Sequence, residues 1–259
     1  MESPKLSVFI LAYNSEKKIR EAIQSVLWAD EIVVVDSYSE DDTAKIAEEM
    51  GVKVAQVKFE GFGKLRNSGV AATTHQWVLS VDSDERCTIE SKNEILETIK
   101  NPNAKDAYLV PRKNYFMGKW IRYGGWYPNY RQPQLFKRDK MDYPPEDLVH
   151  EGYRLKGELG ELKCPMWQEP FLDLSEVIYK CDRYSGLSAE KLKRKGRKSS
   201  ILTACLRSLW TFIRFYFLRL GILDGGIGFV IALTNAEGTF YKYLKLSELN
   251  RLDKSGEIK

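Results

Sequence analysis

Short apolar runs alternate with stretches of helical period over the first part of the chain. LSVFILAY is a β-rich apolar run and reads as a buried strand. Ser15 then stands as an N-cap, and Ile19, Ala22, Ile23, Val26 and Leu27 mark one helical face. Glu31 to Asp36 (EIVVVD) predicts a second strand, and Asp41 to Met50 a second helix that Gly51 ends. VKVAQV is a third strand, Phe62 to Ala72 a third helix, and Trp77 to Asp82 (WVLSVD) a fourth strand. Continuous apolar strands separated by helices predict an α/β fold: a mostly parallel central sheet covered on both faces.

The pattern changes twice. Residues 105–172 are dense in Trp, Tyr, Gly and Pro and poor in helical periodicity, and no acidic residue occurs between Asp106 and Asp139. Residues 173–259 are mostly helical. Their basic cluster, Lys191 to Lys198, precedes a helix over Ser200 to Leu220. In that helix Ser200, Thr203, Arg207, Thr211 and Arg214 form a narrow polar stripe, and apolar side chains fill most of the remaining circumference. The parts are thus 1–104, 105–172 and 173–259, with no internal repeat.

Composition excludes several classes. With 259 residues, 43% hydrophobic and 29% charged, the chain has a real core and is neither disordered nor a disulfide scaffold. A net charge of +4 does not by itself demand nucleic acid. Cys87, Cys164, Cys181 and Cys205 are scattered, and His75 and His150 lie far apart, so no zinc site is expected and the cysteines read as reduced. MESPKLSVFILAYN does not read as a secretory leader, and no run of about 18 apolar residues predicts a conventional membrane span.

Open parallel sheets bind ligands beyond the carboxyl ends of their strands. The residues there are Ala12, Tyr13 and Asn14, then Asp36 and Ser37, then Asp82, Ser83 and Asp84. No G-x-G-x-x-G follows the first strand, which disfavours a dinucleotide fold, and no G-x-x-x-x-G-K-[ST] occurs, which removes the P-loop class. Asp82 and Asp84 present hard oxygens on one turn, suited to Mg²⁺ or Mn²⁺ with positions left for phosphate oxygens; their bland reading is a pair of solvated turn aspartates. Asp36 either caps its own turn or accepts from a nucleobase imide beside the Tyr13 ring. Lys64, Arg66 and Asn67 are either a solvated basic face or neighbours of a diphosphate.

LSVFILAYNSEKKIREAIQSVLWADEIVVVDSYSEDDT followed by GKLRNSGVAATTHQWVLSVDSDE resembles a family 2 glycosyltransferase of GT-A fold. Through GGWYPNY, QLFKR, VHEG and LGILDGGIG the likeness extends to the lipopolysaccharide core β-1,4-glucosyltransferase branch. The loop SYSEDDT departs from the family pattern in lacking a glycine but keeps Asp36. The resemblance implies a UDP-sugar donor and inversion at the transferred carbon. It implies that Tyr13 and Asp36 hold uracil, that Asp82 and Asp84 hold ribose and metal, and that Lys64 and Arg66 lie near the diphosphate.

Inversion calls for a base on the acceptor hydroxyl. Glu151 is the expected base, with Glu146, Asp147 and His150 as rivals in the same segment. Tyr115, Phe116, Trp120, Trp126, Tyr127 and Tyr130, amid Arg112, Lys113, Lys119, Arg122 and Arg131, are expected to be divided between core packing and an anionic glycan acceptor. Lys191–Lys198 and the helix after it are expected to meet an anionic membrane surface, which suits a lipid-linked glycan such as a core heptose; the alternative is a helix buried against the catalytic domain. The expected location is cytoplasmic, peripheral on the inner membrane face, with no nucleic-acid partner. Rival readings are transfer to polyprenyl phosphate and a non-catalytic sugar-nucleotide-binding protein; a nucleotidyltransferase is disfavoured because AYNSEKK has no glycine. Oligomeric state and the identity of the sugar are not fixed by these residues.

Overall fold

The computed structural model describes residues 4–128, 130, 132–145, 152–171 and 173–255. The chain runs β1 (Leu6–Ala12), α1 (Glu16–Gln24), β2 (Glu31–Asp36), α2 (Thr43–Glu49), β3 (Lys53–Gln56), α3 (Phe62–Ala72), β4 (Trp77–Asp82), β5 (Glu85–Arg86) and α4 (Ile89–Lys100). It continues with β6 (Ala107–Leu109), β7 (Arg112–Phe116), β8 (Lys119–Ile121), β9 (Pro133–Lys137), β10 (Met141–Asp142), β11 (Arg154–Leu155), β12 (Leu159–Glu161) and β13 (Met166–Gln168). The helices α5 (Leu174–Arg194), α6 (Ile201–Ile213) and α7 (Gly225–Ser255) complete it.

Two units form. The first comprises residues 1–113 and 128–170, the second 114–127 and 171–259. Within the expected middle part, 105–172, Asn114–Tyr127 and Phe171 group with the helices, and residues 105–113 and 128–170 with the sheet. Periodicity gave no warning of this, because a hairpin carries no mark of the unit that receives it.

The first unit is a seven-stranded sheet in the order β12-β6-β9-β4-β1-β2-β3. β1 pairs in parallel with β2 and β4, and β2 with β3; β9 is antiparallel to β4 and to β6. The alternation along β1 explains the two layers. Val8 and Ile10 join Ile19 and Ile23 of α1 and Ile95 of α4, whereas Phe9 and Leu11 join Leu65 of α3 and Tyr143. Strand β2 lies on one side of β1 and β4 on the other, so a crevice opens at their carboxyl ends.

The expected α3 and β4 match the observed residues. α2 starts two residues later than the pattern suggested, because the Asp41 carboxylate takes both the N–H and the hydroxyl of Thr43 and turns the chain before the helix begins. β3 is shorter than the VKVAQV run.

The second unit contains the β7–β8 hairpin, with Tyr115 opposite Trp120. Its turn residues Met117 and Gly118 both have positive φ, +50° and +72°, as a two-residue type I′ hairpin requires. Here α5 and α7 pack together, and α6 packs back along α7. The helix expected over Ser200–Leu220 is α from Ile201 to Ile213 and then a π turn from Arg214 to Leu218, with the Ser200 hydroxyl accepting from the Thr203 N–H at 3.2 Å.

The sidedness of α6 is inverted relative to a soluble amphipathic helix. Ala204 is buried, Ser208 donates to the Ala236 carbonyl of α7 at 2.8 Å, Thr211 reaches Thr239 at 3.3 Å, and Arg207 lies over the Tyr243 ring at 4.8 Å. Small and polar residues thus face the neighbouring helix, while Ile201, Leu202, Leu206, Leu209 and Trp210 are each more than half exposed. Ile201–Leu218 is also long and apolar enough to cross a membrane by length and composition, which qualifies the expectation that no segment could. All four cysteines are free thiols, as expected.

Candidate functional site

Three strand ends are fastened to one another. The Ala12 carbonyl accepts from the Ser37 N–H at 3.0 Å and the Leu11 carbonyl from the Ser83 N–H at 3.1 Å, so the segments leaving β2 and β4 are stitched to either side of β1. Ser15 occupies the N-cap position of α1, but its hydroxyl does not cap the helix. It instead reaches the Tyr13 carbonyl at 3.1 Å and the Ser83 hydroxyl at 2.9 Å, tying the first loop to the third. Asn14 adopts φ +46°, and its side-chain oxygen accepts from the Glu40 N–H at 2.9 Å, tying that loop to the second. Tyr13 stands exposed above them.

Asp36 is fully buried. Its carboxylate accepts the Ser39 N–H at 3.0 Å and the Ser39 hydroxyl, so the turn-capping reading is realised in the structure. Next to it the Ser37 hydroxyl is buried with no hydrogen-bond partner among the described residues. An unsatisfied buried hydroxyl is uncommon and marks a place where a ligand group or water completes the bonding.

The turn after β4 is supported from four directions. Arg66 of α3, only 3% exposed, donates to Ser80 Oγ at 2.7 Å and to Asp82 Oδ1 at 3.0 Å. Arg86 binds the carbonyls of Ser83 (2.9 Å), Glu85 (2.8 Å) and Lys18 (2.9 Å), clamping the turn to α1. Gln168 donates to Asp84 Oδ1 at 3.2 Å, and the Glu169 N–H to the Asp84 carbonyl at 2.9 Å. Beneath them Glu85 is completely buried, accepting from the Asp82 N–H at 2.9 Å, from Gln134 at 2.8 Å and from the Arg112 guanidinium. Burial pushes the Glu85 carboxyl upward, against the opposing pull of Arg112, and the nearby Asp82 and Asp84 add to the push.

Several expected residues are relocated. Arg112 was expected in the basic acceptor region but is buried on Glu85, because an uncompensated carboxylate there would be far costlier than a paired one. Lys64 lies two residues from Arg66 on α3, about 200° around a helix of 3.6 residues per turn. It is exposed and paired with Glu60 at 2.7 Å, so the two do not converge. Asn67 joins the cluster differently: it donates to the Tyr143 carbonyl (2.7 Å) and accepts its N–H (3.0 Å). Gly63, one turn earlier, lies so close to the Pro144 carbonyl that any Cβ would overlap it. The chain entering residues 146–151 is therefore held against the helix that carries Arg66. Glu146, Asp147, His150 and Glu151 themselves lie outside the described residues, as does Arg131.

Glu85, Arg86, Gln134 and Gln168 were not singled out from sequence. Only the charge density of DSDER hints at the first two; the glutamines sit in strands with no local signal. Of the aromatic segment, Phe116 is core, Trp120 and Tyr127 meet edge to face, and Arg122 lies 4.3 Å over Trp120.

Among the described residues no group of three His, Cys, Asp or Glu side chains could hold a metal. Asp82 and Asp84 are both partly exposed hard donors on one turn. A carboxylate offers about four acceptor positions, so each can ligate a cation while keeping the bond described above. Two such donors fit Mg²⁺ or Mn²⁺, which takes its remaining ligands from phosphate and water.

Comparison with known proteins follows the same outline. The family model described as glycosyl transferase family 2 matches residues 7–155. An uncharacterized glycosyltransferase of Rickettsia typhi is 28% identical over 95% of this chain and 88% of its own length. The lipopolysaccharide core biosynthesis glycosyltransferase LpsC of Rhizobium meliloti is 26% identical over 95% of this chain and 93% of its own. Among solved structures, S. aureus TarS 1–349 in complex with UDP-GlcNAc covers 96% of this chain and 92% of its own at 20% identity, with a TM-score of 0.50, a likeness of fold.

Proposed function

The chain belongs to glycosyltransferase family 2, and on that premise we propose that it is an inverting, metal-dependent transferase of GT-A fold. It moves a hexose, glucose by resemblance, from a UDP-sugar to a lipopolysaccharide core heptose or a similar lipid-linked glycan at the cytoplasmic membrane face. The observation that carries the donor half is the joining of three strand ends around Ser15 and Ser83, with Asp82 and Asp84 presented on a turn that Arg66, Arg86 and Gln168 hold. Lipopolysaccharide core synthesis by LpsC, and UDP-GlcNAc in the TarS complex, support the acceptor and donor classes.

In this reading Tyr13 stacks on the uracil and Asp36 and Ser37 line its edge. Asp36 shares its carboxylate between Ser39 and the base, and the Ser37 hydroxyl gains its missing partner. Asp82 and Ser83 contact the ribose side, and Asp84 with Asp82 holds Mg²⁺ or Mn²⁺, which when bound neutralises charge on the diphosphate. Arg66 keeps Asp82 oriented and brings positive charge beneath the phosphates; Lys64, on the exposed side of α3, contributes long-range attraction. Glu151 takes the proton of the acceptor hydroxyl as its oxygen bonds to the anomeric carbon. The bond from that carbon to the diphosphate breaks on the opposite face, its electron pair leaving with UDP.

The second unit supplies the membrane contact. The outward apolar face of α6 and the exposed cations Arg194, Lys195, Arg197 and Lys198 suit an anionic leaflet, at roughly 1 kcal/mol per basic residue. An interfacial position agrees better with the packing than a span does. α7 lies along α6 through Ser208–Ala236 and Thr211–Thr239, and would carry Glu237 and Lys242 to the same depth.

The test is UDP release from a panel of UDP-, GDP- and dTDP-sugars with and without Mn²⁺, for wild type, Asp84→Ala and Glu151→Gln. Metal-dependent turnover of one UDP-hexose that Asp84→Ala loses supports the donor half. Near-wild-type transfer by Glu151→Gln, in a reaction supplied with acceptor, would favour a phosphate acceptor such as polyprenyl phosphate, which needs no strong base. No nucleotide binding overturns the whole reading.

A further inference from the structure

A cleft of about 290 Å³ runs between α5 and α7, built only from residues of the second unit. That is close to the ~300 Å³ at which small-molecule sites begin. The two helices present matching faces to it. On α5 the lining runs from Val177 to Ser188 and on α7 from Ile231 to Lys242, each at the i, i+3, i+4, i+7, i+8, i+11 spacing of one helical side.

The cleft is graded along its length. At one end Val177 and Ile231 cluster with Phe116, and Trp126 and Phe171 pack against them. Midway, a Cβ on Gly238 would meet Cys181 Sγ at 3.5 Å, an ordinary contact. A larger side chain there would extend into the space between the helices. Glycine inside a helix is unfavourable relative to alanine, and here its missing side chain leaves the cleft continuous. At the other end stand Tyr184, Ser188 and Lys242. The helices run in the same direction: Val177 meets Ile231 near their starts, and Asn250, in the last turns of α7, bonds the carbonyl of Arg197 just past the end of α5 at 3.5 Å. The Lys180 ammonium lies over the Phe171 ring at 5.1 Å at the apolar end, and Lys242 stands at the other.

The charge is unbalanced. None of the lining residues is acidic. Lys180 is paired with Glu176 at 3.0 Å. Lys242 has no carboxylate partner among the described residues; burial and the charge of Arg207 hold its ammonium below the usual lysine range, a situation that a bound anion relieves.

We propose that this cleft binds one anionic membrane lipid, an alkyl chain lying toward Phe116, Trp126 and Phe171 and the anionic headgroup resting on Lys242. The choice of a membrane lipid rests on the reading that α6 meets a lipid surface. The cleft itself does not, and a soluble single-chain probe tests it without vesicles.

The probe is dodecyl phosphate below its micelle concentration, titrated calorimetrically into the full-length protein, with inorganic phosphate and dodecyl glucoside as comparisons. The expected result is saturable binding of one equivalent, weakened at least tenfold in Lys242→Ala and lost in Gly238→Leu. Dodecyl glucoside binds wild type at least tenfold more weakly and is indifferent to Lys242→Ala, and inorganic phosphate does not compete. No binding, binding matched by inorganic phosphate alone, or affinity unchanged by both substitutions overturns the proposal. Should Gly238→Leu lose its helical circular dichroism, fluorescence decides. Dodecyl phosphate brominated near its methyl end quenches part of the tryptophan emission, and that part disappears in Trp126→Phe; quenching that persists in Trp126→Phe overturns it equally.

Discussion

The guanidinium of Arg66 reaches across from α3 to Asp82 at 3.0 Å while its other arm holds Ser80 on β4 at 2.7 Å. One buried side chain thereby fixes both the strand and the carboxylate at its end. A bidentate fork of this kind cannot be reproduced by an ammonium. Arg66→Met is expected to lower UDP-sugar turnover about 100-fold, near 2.7 kcal/mol. Arg66→Lys is expected to recover only part of that, read as kcat against KM in the UDP-release assay. Wild-type kinetics in Arg66→Met would show that Asp82 needs no such support.

Glu85 and Arg112 form a buried pair directly below the same turn. Removing one partner strands the other charge, so Glu85→Leu or Arg112→Met alone is expected to cost about 3–5 kcal/mol in urea unfolding. The double substitution is expected to cost clearly less than the sum of the singles. Additive losses would mean that the two side chains act independently.

Asp106 gives a signed pH prediction. The Glu158 N–H, then the Lys137 ammonium, hold its carboxyl below the usual range. The folded chain therefore binds this proton more weakly than the unfolded chain. The stabilisation is complete above the ordinary carboxylate pKa and is lost as pH falls through the depressed folded value. Asp106→Asn is expected to lower Tm near pH ~7, with the gap from wild type narrowing toward pH ~3. A gap that stays constant with pH would assign the loss to packing instead.

The outward face of α6 predicts vesicle binding. Leu206→Glu with Trp210→Glu is expected to weaken co-sedimentation with phosphatidylglycerol vesicles at least about tenfold, since two exposed apolar side chains are replaced by like charges facing an anionic surface. Neutralising Arg194, Lys195, Arg197 and Lys198 is expected to remove the salt dependence of binding while sparing contact with neutral vesicles. Binding indifferent to both changes would separate this unit from the membrane.

The thiols differ in the same measurable way. Cys205 is exposed on α6, whereas burial pushes the Cys87 thiol up to about 11. The fastest phase with a thiol reagent is expected at neutral pH from Cys205 and is absent in Cys205→Ser, with Cys87 reacting more slowly. Labelling of Cys87 as fast as that of Cys205 in the folded protein would contradict its partial burial.

What the chain shows without its structure follows from the range of the forces involved. Periodicity and capping act within a few residues, so the strands LSVFILA and WVLSVD, the helix Phe62–Ala72 and the residues Asp82, Ser83 and Asp84 at a strand end are all legible in order. The family resemblance is legible for the same reason, as an ordered string of local motifs. The pairings that give those residues their environment span long separations. Glu85 finds Arg112, Ser15 finds Ser83, and Asn67 finds Tyr143 only when the sheet closes, and nothing near either partner announces the other. Sidedness behaves likewise. The stripe on α6 is plain in the sequence, yet which side of it would meet α7 depended on how small Ala204 and Ser208 let two helices approach. Local order was set by the sequence, while burial, charge pairing and the outward turn of the apolar face were decided by packing, which counts neighbours in space and not along the chain.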